Sequence, residues 1–245
     1  MSFTTSVQCP RCYKESQEDS EKESNGFPVY KLCVNCVESI KQKWINKINS
    51  TGIEIERFTF DKFIISKENN KAVEICKKFA NREIDRFGLW LYSLNTGNGK
   101  THLSYAVLKQ WILSKYIPII DSNTHHIPCP YAVTTEPDLL LRIRSTYKDN
   151  SGEDENNILD EYKNVEFLII DDLGKTNAND LSFMQRTMYT IIDYRYLRHK
   201  LTIVSSNKNG AELQQYLGLY TFDRLKGMSE RVTEIHGESY RGKHG

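Results

Sequence analysis

Apolar positions along this chain follow two rhythms, and the change from one to the other marks out its elements. From Val37 to Ile48 the residues Val37, Ile40, Trp44, Ile45 and Ile48, with Lys41 among them, fall near one stripe of a 3.6-residue repeat and predict a helix. Asn49-Ser50-Thr51-Gly52 breaks that pattern. Three aromatics follow at Phe58, Phe60 and Phe63, and a polar break at 66–70 leads into a helical stretch from about Asn70 to Arg86. The rhythm then changes. Gly88 to Leu94 is almost continuously apolar, as expected of a strand covered on both faces in a parallel sheet. A helix from about Lys100 to Ser114 comes next, then apolar pieces at 116–120 and 131–134 around a stretch expected to protrude as a loop or hairpin.

The second half repeats the alternation. Residues 136–147 read as a helix buried on Leu139, Leu140, Ile143 and Tyr147, and the acidic, asparagine-rich 148–157 as a mobile loop. A core strand is expected at 165–170. Asp180 is placed to cap a helix to about Arg198, with Leu181, Met184, Met188, Ile191 and Ile192 toward the sheet. Residues 202–207 form a further core strand. Strands alternating with helices predict an α/β fold, a parallel sheet flanked by helices. A length of 245 residues allows one substantial core plus a small appendage.

Composition adds exclusions. Hydrophobic residues at 39% and charged residues at 27% describe an ordinary globular protein. A formal net charge of +1 gives no global attraction to nucleic acid, so any such contact needs a local patch. No apolar run approaches the roughly eighteen residues of a membrane span, and the start Met1-Ser2-Phe3-Thr4-Thr5 lacks the basic and apolar regions of a secretory signal. A cytoplasmic location is expected.

Four of the six cysteines form two pairs at the front, Cys9-Pro10-Arg11-Cys12 and Cys33-Val34-Asn35-Cys36, with twenty residues between them. Each pair can offer two thiolates to one tetrahedral Zn²⁺ at about 2.3 Å. The intervening segment is acidic and poor in large apolar groups, so metal binding would supply its folding energy. Four cysteines would fill the coordination sphere, making the ion a scaffold. A disulfide pair, a redox motif and unrelated thiols are other readings of the same residues. The helix behind this module either packs on it or offers Trp44 and its lysines, Lys41, Lys43 and Lys47, as a docking surface. The domain organisation expected is a zinc module at 1–50, a linker at 51–58 and a second domain at 59–245. His125, His126 and Cys129 suggest a loop rather than a second metal site, because no fourth ligand is evident.

The chemistry sits where two strands end. Asn95-Thr96-Gly97-Asn98-Gly99-Lys100-Thr101 joins the strand at 88–94 to the next helix. It offers backbone N–H groups and a helix N-terminus to phosphates, a lysine for the β- and γ-phosphates and a threonine hydroxyl for Mg²⁺. One position departs from the usual pattern: Leu94 stands where the first glycine of such a loop is expected. About seventy residues on, Phe167-Leu168-Ile169-Ile170-Asp171-Asp172 is an apolar strand ending in two acids. Asp171 is expected on the metal. Asp172 stands where many related enzymes use glutamate to orient the attacking water, and its shorter arm points to slow turnover. Asn207 ends the 202–207 strand, within reach of the γ-phosphate, with Ser205 and Ser206 as nearby alternatives.

Taken in order, the segments from Phe58 to Arg241 resemble the AAA+ P-loop ATPases of the DnaC/DnaI group, which load the bacterial replicative helicase, and their relative, the IstB transposition helper. The likeness rests on Gly97-Asn98-Gly99-Lys100-Thr101-His102-Leu103, Ile170-Asp171-Asp172-Leu173-Gly174, Ser206-Asn207, Asp223-Arg224-Leu225 and Ser239-Tyr240-Arg241. It implies that Gly97, Asn98, Gly99, Lys100, Thr101 and His102 bind ATP or ADP and that Asp171 and Asp172 are the paired acids of the second motif. Asn207 would be the first sensor. Arg224 would be the arginine finger that completes a neighbour's site, and Arg241 the second sensor, with Arg231 in competition for that role. The resemblance further implies Mg²⁺ and Zn²⁺ as cofactors, self-association through the ATPase domains, single-stranded DNA and a replicative helicase hexamer as partners, and no membrane. Arg142, Arg144 and Lys148 are candidates for DNA-backbone contacts. The small size and Leu94 suggest a phage or prophage member, and the chain is expected to lack a duplex-reading domain. A transposition helper, or a nucleotide-binding adaptor with little hydrolysis, are the alternatives.

Overall fold

The computed structural model describes residues 7–8, 15–16, 32–49, 53–116, 127–147, 152–176, 180–230, 233–236 and 239. Its centre is a five-stranded parallel sheet in the order β4-β5-β6-β3-β7, made of Tyr131–Thr135, Phe167–Leu173, Leu201–Ser206, Gly88–Tyr92 and Thr233–Glu234. Alternate residues serve opposite faces. Leu89, Leu91, Ile169 and Ile203 pack with α1 (Val34–Asn49), α2 (Asn70–Ala80) and α3 (Lys100–Ser114). Trp90, Tyr92, Leu168, Ile170 and Val204 pack with α4 (Glu136–Ser145), α5 (Glu155–Asn164), α6 (Leu181–Leu197), α7 (Gly210–Leu217) and α8 (Leu219–Met228). This double cover is why the strands read as unbroken apolar runs rather than alternating ones.

Strand β3, which feeds the phosphate loop, pairs with β6, and β6 separates it from β5. The loop and the two acids therefore face each other across the end of one intervening strand. Carboxyl ends of β4, β5, β6 and β3 all open on the same side, where ligands bind in parallel α/β sheets.

Several local expectations are corrected. The second helix stops at Ala80, not Arg86, because the chain turns through Asn81 and Arg82, the latter at φ +57°. Helix α4 stops at Ser145 and leaves Tyr147 exposed, its hydroxyl donating to Glu155 at 2.8 Å. The last three residues of the supposed mobile loop, 155–157, are the start of α5, whose Asn156 and Asn157 N–H groups bond the Asp154 carboxylate, while 148–151 lie outside the described residues. The 117–120 piece lies outside the described residues.

Helix α1 buries Ile40, Trp44, Ile45 and Ile48 as its periodicity predicts, but the surface it meets is the core of the sheet domain. Tyr131 Oη of β4 donates to the Trp44 carbonyl at 2.7 Å, and Lys41 Nζ bonds the Leu113 carbonyl at the end of α3 at 2.8 Å. Asn49 then accepts the Ile55 N–H at 2.9 Å, and Ile55 is fully buried in the same core. The described part of 51–58 is thus a packed corner and not a gap between two packing units. At the front, β1 (Val7–Gln8) pairs antiparallel with β2 (Glu15–Ser16), bracketing in sequence the first cysteine pair. No helix among the described residues is long and apolar enough to cross a membrane.

Candidate functional site: a cleft at the carboxyl ends of the strands

A cleft of about 600 Å³ lies where the loops after β3, β5 and β6 meet, lined by Gly97, Gly99, Lys100, Thr101, Asp172 and Asn207. Its floor is the N-terminus of α3. Gly99 is the N-cap of that helix at φ +100° and, being a glycine, puts no side-chain cap on the first-turn N–H groups. Those donors point into the cleft and suit an anion. Glycine is required at 99 twice over. The backbone is left-handed, and a Cβ there would collide with the Phe63 ring. Gly97 is also left-handed, at φ +78°.

Lys100 is nearly buried, and its ammonium donates to the Asn95 carbonyl at 3.1 Å, which folds the loop around it. Thr101 Oγ1 donates to Asp171 Oδ2 at 2.8 Å, bringing together the two groups expected on Mg²⁺. Ser205 Oγ donates to the other Asp171 oxygen and accepts the Asp172 N–H at 2.9 Å. The β5–β6 register shifts between Ile170 and Leu173, and Asp172 sits at φ +56°, a left-handed conformation rare for a residue with a side chain. The irregularity turns Asp172 toward the cleft. Asn207 Oδ1 is buried and, among the described residues, has no hydrogen-bond partner. An unsatisfied buried acceptor beside the N-terminus of α3 suits a polar ligand such as a water. The donors, the hydroxyl–carboxylate pair and this acceptor together fit a Mg²⁺–nucleotide triphosphate.

Two expected ligands turn elsewhere. His102 stacks edge-on against Phe58 and Phe63, and its Nε2 meets the Thr59 carbonyl at 2.8 Å. Burial lowers its pKa, partly offset by that carbonyl, so the neutral ring is a structural pin beside the loop rather than a phosphate ligand. Asn98 is buried, its amide bonded to Ser93 and, at 2.8 Å, to the Ile235 carbonyl. Its side chain moors the loop to the segment after β7, leaving its backbone as the part that remains for phosphate.

Arg224 is outside its own chain's cleft. It lies on α8, bonded to Asp193 of α6 at 2.8 Å and stacked 4.9 Å from the Tyr196 ring centroid. Asp193 raises its pKa. Arg142 is held by Glu153, Glu161 and Tyr162, and Arg144 by Asp180, so neither cation is presented freely for DNA. Arg241, Arg231, Lys148, His125, His126, Cys9 and Cys12 lie outside the described residues. Cys33 immediately precedes α1 and Cys36 lies in its first turn, both packed with the hydrophobic core; no metal-binding cluster of three or more groups occurs among the described residues.

Arg57, Phe58 and Lys175 also line the cleft, and no motif marked them. Nor did any mark Glu136 and Tyr216, which build the loop carrying Lys175. The one available signal was the density of aromatics at 58–63.

A parallel α/β sheet with this loop, paired acids and strand-end asparagine defines an ATPase domain of the AAA+ type. The chain belongs to the bacterial DnaA ATPase domain family, whose signature matches residues 55–226. It is 26% identical over 186 residues to the replicative helicase loader DnaC of Buchnera aphidicola subsp. Baizongia pistaciae, covering 76% of this chain and 70% of that one. It is 25% identical over 185 residues to the chromosomal replication initiator DnaA of Onion yellows phytoplasma, spanning 72% of this chain and only 32% of the initiator. Its fold is shared with a crystal structure of the DnaC helicase loader at a TM-score of 0.60 and 23% identity, covering 74% of this chain and 98% of that one.

Proposed function

We propose that this protein is an ATP-dependent loader of a bacterial replicative helicase, delivering the hexamer onto single-stranded DNA. The observation that carries the nucleotide part is the uncapped N-terminus of α3 facing Lys100, the Thr101–Asp171 pair and Asn207 in one cleft. The helicase part is supported by the similarity to DnaC over most of both chains.

In this reading the loop N–H groups and Lys100 take the β- and γ-phosphates of ATP. Thr101 and Asp171 would hold Mg²⁺, which supplies charge neutralisation at those phosphates. Asp172 orients the attacking water and draws off its proton, and Asn207 holds that water's other side. Arg224 is one chain's contribution to its neighbour's site, since it points away from its own; Arg241 would add a second cation. Self-association thereby couples turnover to assembly on DNA. Turnover is slow, given the short Asp172 and Leu94. The module of Cys9, Cys12, Cys33 and Cys36 would hold Zn²⁺ as a scaffold and present the surface that grips the helicase.

The test is capture of a purified replicative helicase hexamer by the full chain, with ATP and a circular single-stranded DNA. Capture and DNA loading that need ATP, and that Cys33→Ser/Cys36→Ser abolishes while ATP binding persists, are expected. ATP-dependent filaments on DNA with no helicase capture would instead identify a transposition helper. Stable helicase capture with no measurable hydrolysis would identify an adaptor.

A further inference from the structure

The loop after β5 is held by side chains that come from far away in sequence. Glu136, in the first turn of α4, is fully buried, and its Oε2 accepts the N–H of Gly174 at 2.5 Å and of Lys175 at 3.3 Å. The Tyr216 hydroxyl of α7 donates to the other carboxylate oxygen and accepts the Thr176 N–H at 2.9 Å. Burial and the neighbouring carboxylate push the Tyr216 phenol up, so it stays a donor. Gly174 is left-handed at φ +111°, and a Cβ there would come within 2.7 Å of the Lys208 side chain, which crosses from the loop after β6.

Three strand ends are tied together by this clamp. Its product is a fixed position for Lys175, whose side chain reaches the cleft beside Lys100 and Asn207. Lys175 is exposed and makes no ion pair among the described residues, whereas Arg142, Arg144 and Arg224 elsewhere on the domain are held by acidic partners. A buried acid with several donors is costly to maintain unless it holds something in place, and the held backbone is the one that carries this cation.

We propose that Lys175 contacts the terminal phosphate of the bound nucleotide from within the same chain, and that Glu136 and Tyr216 are positioning residues for it. The inference rests on the nucleotide-site reading above. It makes Lys175 a discriminator: it would favour the triphosphate over the diphosphate, whereas Lys100 and the loop serve both.

The experiment is calorimetric titration of ATP (as a non-hydrolysable analogue) and of ADP, with Mg²⁺, into the full chain and its variants. Lys175→Met should weaken the triphosphate about tenfold, roughly 1.4 kcal/mol, and change ADP less than twofold. Lys175→Arg should restore most of the preference. Tyr216→Phe should lower the same triphosphate-to-diphosphate ratio while ADP affinity reports an intact fold. An unchanged ratio in Lys175→Met overturns the inference and leaves the nucleotide site standing. Failure of the wild-type chain to bind either nucleotide overturns the site itself.

Discussion

The two walls of the cleft are built by opposite means. The phosphate loop is made from its own backbone: two left-handed glycines, Lys100 closing on Asn95 five residues away, and a helix that starts without a cap. The opposite wall, from Asp172 to Thr176, depends on Glu136, Ser205, Lys208 and Tyr216, each more than thirty residues distant. One wall is a local motif and the other a tertiary construction. Each should therefore fail in its own way.

The largest effect is expected on the local wall. Gly99→Ala should weaken ATP binding more than a hundredfold, because strain of about 1–3 kcal/mol at a left-handed backbone adds to the collision with Phe63. The double variant Gly99→Ala/Phe63→Leu should recover only the steric share, measured by nucleotide titration. Full recovery would mean that packing, and not backbone conformation, shapes this loop.

On the opposite wall the expected loss appears in folding. Glu136→Ala leaves two backbone N–H groups and a phenol without their acceptor and should cost about 2–4 kcal/mol, read from urea unfolding. Asn98→Ala, which cuts the local loop's mooring to Ile235, should cost about 1–2 kcal/mol. If Asn98 proves the costlier, the contrast between the walls fails.

Neither of these two walls contains an arginine, although Arg57 lines the cleft beside them. Lys100→Ala and Arg224→Ala should each remove most turnover when assayed alone. An equimolar mixture should regain activity, on the order of a quarter of wild type, because one chain keeps an intact cleft and the other an intact finger. Arg224→Ala should leave ATP affinity within about twofold, since the side chain stands away from its own cleft and a half-exposed ion pair contributes little.

The smallest effect concerns pH. Burial holds His102 below its ordinary pKa of about 6.5. The unfolded chain therefore takes up a proton first as pH falls. Stability from this group is fully present above that value and is lost as pH drops through the lower folded pKa. His102→Leu should flatten the dependence of unfolding free energy on pH below about 6.5; an unchanged slope would remove His102 from the loop's support.

This contrast also explains what the sequence made legible. The positions of Gly97, Gly99, Lys100, Thr101, Asp171, Asp172 and Asn207 were readable because spacing along one chain fixes them at strand ends. The buried stripe of α1 was equally clear, as its period reports which side is covered, yet period carries no information on what covers it: the sheet domain proved to be the partner, through Tyr131 and Leu113. Glu136, Tyr216 and Lys175 were illegible for the same reason. A glutamate in the first turn of a helix resembles any solvated acid until the fold buries it against Gly174 and Tyr216. His102 and Asn98 misled in the reverse direction, since a residue inside a motif need not turn its side chain toward the ligand.

The most direct test of the central claim is calorimetric titration of ATP with Mg²⁺ into the full chain and into Lys100→Ala, with unfolding curves to confirm equal stability. One ATP bound per wild-type chain, and binding lost in the equally stable variant, is the expected result. A wild-type chain that takes up no nucleotide, or a Lys100→Ala chain that binds as tightly, would contradict the assignment of this cleft.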